Sequence, residues 1–218
     1  MAPKGDMART REQNDSVLEL CKKEGGVFYP VCSVHPSDGN EAEGEIDRVA
    51  GLGAKCIKLH PNTQGFDVAD PEVEKIVRRA AENGLPVLFD AYSPFDAYQA
   101  WKFVMLAMNV PDARIILAHA HGAHFLDLMV YGILAKYQWW KRNVWVDISA
   151  TGPLFSGSPF AEQFRWLLRK VGIDRLLFGS DYPLDKPAEA VEAIVNLEFR
   201  PEELHRIFFQ NASELFGI

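Results

Sequence analysis

Apolar positions along the chain follow two periods in turn. Short runs rich in β-branched and aromatic residues occupy 27–34, 55–60, 86–92, 114–121, 144–149 and 176–181, and all but the first end in a polar residue followed by a turn. Between them the apolar positions recur every three to four residues, which predicts helices near 15–24, 41–51, 71–83, 95–109, 124–140, 160–171, 187–196 and 201–216. Pro71, Pro187 and Pro201 fall at helix starts, where a missing N–H costs nothing. Strands alternating with helices imply right-handed βαβ units and a parallel sheet covered by helices. No Pro/Ser-rich linker interrupts the pattern, so residues 1–218 are expected to form one domain, with 1–14 as a flexible or adaptor-like lead. The spacing yields about six βα units, whereas a closed barrel of this type needs eight and usually ~250 residues.

Composition narrows the class. Apolar content of 48% and charged content of 24% are those of a soluble globular protein. A net charge of -7 with no long basic run argues against nucleic acid and anionic membranes as partners. Cys21, Cys32 and Cys56 are odd in number and widely spaced, which argues against a disulfide framework or a zinc knuckle. No signal-like stretch is present, so a cytoplasmic location is the expectation.

The candidate chemistry lies at the strand ends. Residues two apart on a strand share a face, which pairs Lys58 with His60, His119 with His121, and Asp147 with Ser149. Asp90 and Tyr92 end the third run, and Asp181 ends the last. Polar groups at one end of five strands describe the mouth of a pocket, because ligands bind at the C-terminal ends of parallel strands. His119 is expected to point inward and to work as a general acid/base, since its ordinary pKa of ~6.5 allows both protonation states near neutrality. Lys58 can meet a substrate carboxylate, pair with Asp90, or carry a carbamate between metals; it can also snorkel. His60 either orients a substrate, binds a metal, or caps a turn. Asp147 either holds His119 in its working tautomer or caps a loop. Gly179 marks a close approach of the backbone to some neighbour. There is no GxSxG elbow, P-loop or strand-following GxGxxG.

The stretch from Gly53 through Lys58-Leu59-His60-Pro61 to Gln64-Gly65-Phe66 resembles the GxKGxKLHPxxQGF segment of the amidohydrolase-related (amidohydrolase 2) proteins. Residues 84–89, 115–122 and 176–183 look like that family's fifth, sixth and eighth barrel strands, and 206–217 is similar to its closing helix. The resemblance runs from about Asn14 to the end. It implies a TIM-barrel-like α/β fold with parallel strands that lacks the first two βα strands of a full (β/α)8 barrel. It also implies a divalent metal, usually zinc, and either hydrolysis or non-oxidative decarboxylation. By position Asp181 corresponds to the metal-binding aspartate of the eighth strand and His119 to the histidine of the sixth. The opening HxH of the family is missing and Asp90 stands where the fifth strand has a histidine ligand.

The resulting expectation is a metal-dependent hydrolase or decarboxylase of a small carboxylate-bearing substrate. His119 and Asp181 would be catalytic, Lys58, His60 and Tyr92 would hold the substrate, and Asp90, His119 and Asp181 would hold the metal. The alternative is an inactive binding or scaffold protein on the same fold. A third reading is that Met1 is not the natural start. Strand edges left open by the missing strands are expected to be covered by residues 1–15, by a rearranged helix or by a second copy in a homodimer.

Overall fold

The structure is a computed structural model and describes residues 1–218. Two compact units emerge, one of residues 1–90 with 101–115 and the other of 91–100 with 116–218.

The first unit opens with α1 (Met7–Lys23), which Asp6 caps by accepting the Arg9 N–H at 3.0 Å. The helix begins well ahead of the predicted Asp15, and its turns lie against β1 (Val31–Ser33). Strand β1 is shorter than the predicted run. Gly25 and Gly26 turn the chain, and Pro30 has no N–H to give a ladder, offering only its carbonyl, to Lys55 N–H at 2.8 Å. Helix α2 (Gly39–Gly51), β2 (Cys56–Leu59), the single turn α3 (Pro61–Gln64), α4 (Pro71–Glu82), β3 (Val87–Asp90) and α5 (Gln99–Asn109) follow. In α4, Asp70 accepts the Glu72 N–H at 2.9 Å, Pro71 begins the helix, and Val73, Ile76, Val77 and Ala80 form the buried stripe. The strands pair in parallel with Ser33, Lys58 and Leu88 in one row. Phe103 of α5 meets Phe89 of β3 edge-on, with ring centroids 5.2 Å apart.

The second unit holds β4 (Ile115–Ala118), a 3-10 segment (His119–Leu128), α6 (Met129–Leu134), β5 (Val144–Asp147), α7 (Thr151–Ser156), α8 (Ala161–Val171) and β6 (Leu176–Leu177). It closes with α9 (Pro187–Asn196), α10 (Pro201–His205), a π turn (Arg206–Gln210) and α11 (Asn211–Phe216). β5 pairs in parallel with β6. Helix α8 buries Phe164, Leu167, Leu168 and Val171, again at spacings of three and four. Strand β6 stops after two residues because Phe178 turns its N–H to the Ile207 carbonyl of the π turn, at 3.1 Å. The Asn211 amide takes the Leu176 carbonyl at 2.8 Å.

Strand order follows chain order, β1-β2-β3 in the first unit and β4-β5-β6 in the second. Six parallel strands instead of eight, each followed by helix, make a TIM-barrel-like α/β fold with two strands fewer than a full barrel.

Candidate active site

In the first unit Lys58 and His60 lie two residues apart at the end of β2, and Asp90 ends β3. His60 is the cap of α3: the Thr63 N–H donates to Nδ1 at 3.4 Å. The ring proton is therefore on Nε2, which faces Asp90 Oδ2 at 3.5 Å. Of the roles open to His60, the turn cap is the one present in the structure. Gln64 fixes this turn from the other side. Its Oε1 accepts the His60 N–H at 2.8 Å while its Nε2 donates to the carbonyls of Ala2 and Val34 at 3.0 and 2.9 Å. In the sequence Gln64 is visible only as part of the family-like segment, and its position in the turn after a strand-end histidine is the signal for this role.

In the second unit, β4 ends at Ala118, so His119 and His121 do not share a strand face as their spacing suggested. His119, Ala120 and His121 have φ of 63°, 44° and 59°, three consecutive left-handed residues that turn the chain where a strand was expected. Such backbone is costly for residues with a Cβ and clusters at functional sites, held there by its surroundings. The holding contacts are visible. His121 is buried and donates from Nδ1 to the Ala91 carbonyl at 2.7 Å; burial lowers its pKa, so it is a neutral structural residue. Gly122 lies against the Tyr92 ring so closely that a Cβ there would collide with it. Tyr92 also stands near His124, with ring centroids 6.1 Å apart.

His119 is half-buried and turns to the end of β5. Its Nδ1 is 3.0 Å from Ser149 Oγ, and the Ser149 hydroxyl donates to the Asp147 carboxylate. The Ser149 N–H donates to the same carboxylate oxygen at 3.0 Å. Because the hydroxyl's single proton goes to Asp147, Ser149 Oγ can only accept from His119. Nδ1 therefore carries a proton, which makes Nε2 the basic nitrogen of the neutral ring. Asp147 does hold the tautomer of His119, but through Ser149, which the sequence showed only as its partner on one strand face. The close approach at Gly179 is also accounted for: a Cβ there would run into the Asp147 carboxylate and would stand 3.1 Å from Ser149 Cβ.

Asp181 follows, exposed and left-handed at φ 56°, with its carbonyl accepting the Leu184 N–H at 2.9 Å. Its carboxylate takes no part in the Asp147–Ser149–His119 chain. Within neither unit does a group of three or more His, Cys, Asp or Glu side chains stand where it could hold a metal ion. The donors come instead as a His60–Asp90 pair and a His119 relay. No helix is long and apolar enough to cross a membrane.

The sequence profile of the amidohydrolase family matches residues 3–218. No curated protein matches the sequence. Solved structures similar in fold include 5-carboxyvanillate decarboxylase LigW from Sphingomonas paucimobilis, at 17% identity over 100% of this chain and 75% of that one, with a TM-score of 0.75. An uncharacterised TIM-barrel protein from Bordetella bronchiseptica aligns at 20% identity over 94% of this chain and 72% of its own, with a TM-score of 0.79. A 5-carboxyvanillate decarboxylase from Novosphingobium aromaticivorans, solved with bound manganese, aligns at 20% identity over 97% and 71%, with a TM-score of 0.72. At these identities the likeness is one of fold.

Proposed function

The chain belongs to the amidohydrolase family, and from that premise we propose that it is a hydrolase or non-oxidative decarboxylase acting on a small carboxylate-bearing substrate. The observation that carries this reading is the Asp147–Ser149–His119 chain, which fixes a proton on Nδ1 and so makes Nε2 the nitrogen that exchanges protons, at the end of a parallel strand. As a base, Nε2 takes a proton from water or substrate, and the resulting imidazolium keeps its Nδ1–H on Ser149, whose hydroxyl remains anchored to the Asp147 carboxylate. As an acid, the same nitrogen returns the proton, to a leaving group in hydrolysis or to the carbon that has lost carbon dioxide in decarboxylation. Lys58 supplies a cation for the substrate carboxylate, His60 and Asp90 orient the substrate through the proton on Nε2 of His60, and Tyr92 offers a ring and a hydroxyl.

A divalent cation belongs to this proposal on the strength of the manganese-bound decarboxylase similar in fold. Zinc, the metal the family resemblance implied, is a second candidate. The ligands would be drawn from Asp90, His119 and Asp181. Neither unit by itself gathers three donors, and no step is assigned to a metal. The second reading is a binding protein on this fold without catalysis.

The test is an assay of aromatic and unsaturated carboxylic acids for carbon dioxide release, and of small amides and esters for hydrolysis, with and without added manganese or zinc. Turnover that His119→Gln abolishes supports the proposal. No turnover under any of these conditions, from protein that is folded and monodisperse, leaves the binding reading in its place.

A further inference from the structure

A cavity of about 630 Å³ opens in the first unit between α1 and the edge of the β1–β2 pair. Ligand pockets commonly measure ~300–1,000 Å³, so it has the size for a small molecule. Its walls are regular. Val31 and Ser33 sit two apart on β1 and therefore on one face, and Ser33 is in register with Lys58 of β2. Opposite them, Arg9, Gln13 and Ser16 follow one another at spacings of four and three along one face of α1.

The lining has a sign. Arg9 and Lys58 face the cavity with a single carboxylate, Glu12, so the site is net positive in a chain whose net charge is -7. Clefts of one sign concentrate ions of the other. Arg9 brings a planar fork that suits a carboxylate, and Lys58 a compact charge. The two hydroxyls have already donated, Ser33 to the Lys58 carbonyl at 2.9 Å and Ser16 to the Glu12 carbonyl at 2.8 Å. Ser33 Oγ also accepts the Ala2 N–H at 3.3 Å, and the lone pairs that remain on the two oxygens can accept from a ligand hydroxyl. Val17 and Val31 add apolar wall.

We propose that this cavity binds a small hydroxy-carboxylate, its carboxylate between Arg9 and Lys58, its hydroxyl on the serine oxygens, and its apolar body against the valines. The proposal deepens the functional reading, since it rests on Lys58 as the residue that meets the substrate carboxylate. It makes α1, a helix outside the strand–helix repeat, a wall of the site and Arg9 a determinant of specificity.

Calorimetric titration of the full chain with mandelate, phenylacetate and lactate tests it, with benzyl alcohol as the uncharged control. Mandelate is expected to bind saturably, phenylacetate more weakly, and benzyl alcohol not at all. Arg9→Gln should weaken mandelate about ten-fold, the loss expected for one charge-assisted contact. Ser16→Trp, which fills the cavity from the helix side, should abolish binding with an unchanged circular dichroism spectrum. Gly157→Ala, where a Cβ meets nothing within 4 Å, should leave binding intact. Absence of binding by all three acids overturns the proposal, as does an affinity that neither Arg9→Gln nor Ser16→Trp changes. If turnover depends on His119 while the cavity binds nothing, the functional reading stands and this inference alone falls.

Discussion

Asn14 makes with Ser33 the two hydrogen bonds that a neighbouring strand would make. Its amide donates to the Ser33 carbonyl at 3.0 Å and its oxygen accepts the Ser33 N–H at 2.9 Å. A single side chain on α1 thus takes the place of backbone at the edge of the first strand, where open N–H and C=O groups invite pairing with another chain. The same amide donates to Glu45 at 2.8 Å, a buried carboxylate that Arg48 grips at 2.8 Å through two nitrogens. Burial alone would raise the Glu45 pKa; the bonds from Arg48 and Asn14 outweigh it and hold the pKa below the ordinary value.

Asn14→Leu keeps the volume and removes all three bonds. Buried polar groups left unmade cost ~1–3 kcal/mol each, and some regain water, so a loss of about 3 kcal/mol is expected. Urea denaturation should show a lower midpoint at an unchanged slope. A midpoint within error of wild type would mean that the edge is not held this way.

Ser149→Ala cuts the relay without touching His119 or Asp147. With nothing to accept the Nδ1 proton, the imidazole samples both tautomers, and loss of such an orienting partner typically lowers activity ~10–100-fold. Nitrogen-15 NMR of the His119 ring should change from one tautomer to a mixture while the thermal midpoint moves little. Unchanged turnover would remove Ser149 from the mechanism.

Gly179→Ala places a methyl group against the Asp147 carboxylate and Ser149. Overpacking of this kind costs ~1–3 kcal/mol. Gly157→Ala is the control, because a Cβ there meets nothing within 4 Å. Thermal unfolding of the two variants should separate them by several degrees, with activity lost only in the first.

Acid should unlock the C-terminal region at Glu203. Its carboxylate, buried, is held by Arg169 at 3.0 and 2.7 Å and accepts the Arg200 N–H at 2.8 Å. The Arg169 bonds, ahead of those from Arg200, lower its pKa from 4.5 to about 2. Since the folded pKa is the lower one, the unfolded chain binds the proton more readily. The contribution is full above the unfolded pKa of 4.5 and is lost as pH falls towards about 2. In Glu203→Gln, stability should be lower at neutral pH and should decline less steeply between those two values, as read by denaturation at a series of pH values.

The order of strands and helices was legible in the chain because burying one face of a helix and both faces of a parallel strand imposes a period on the sequence itself. Val73, Ile76, Val77 and Ala80 announce α4 without any knowledge of what they touch, and the Lys58–His60 spacing puts both residues on one side of β2. Motif order was enough to show the family. Where each strand stops was not written locally. β4 gives way at His119 because partners distant in the chain hold three left-handed residues there, Ala91 through His121 and Asp147 through Ser149. β6 gives way at Phe178 because a carbonyl on the last turns of the chain takes its N–H. The role of Asn14 was equally hidden, since an asparagine on a helix looks like a solvated one until the strand beside it shows two unmet backbone groups. Periodicity records which residues leave water, whereas hydrogen bonds between distant segments depend on distances that only the folded backbone sets.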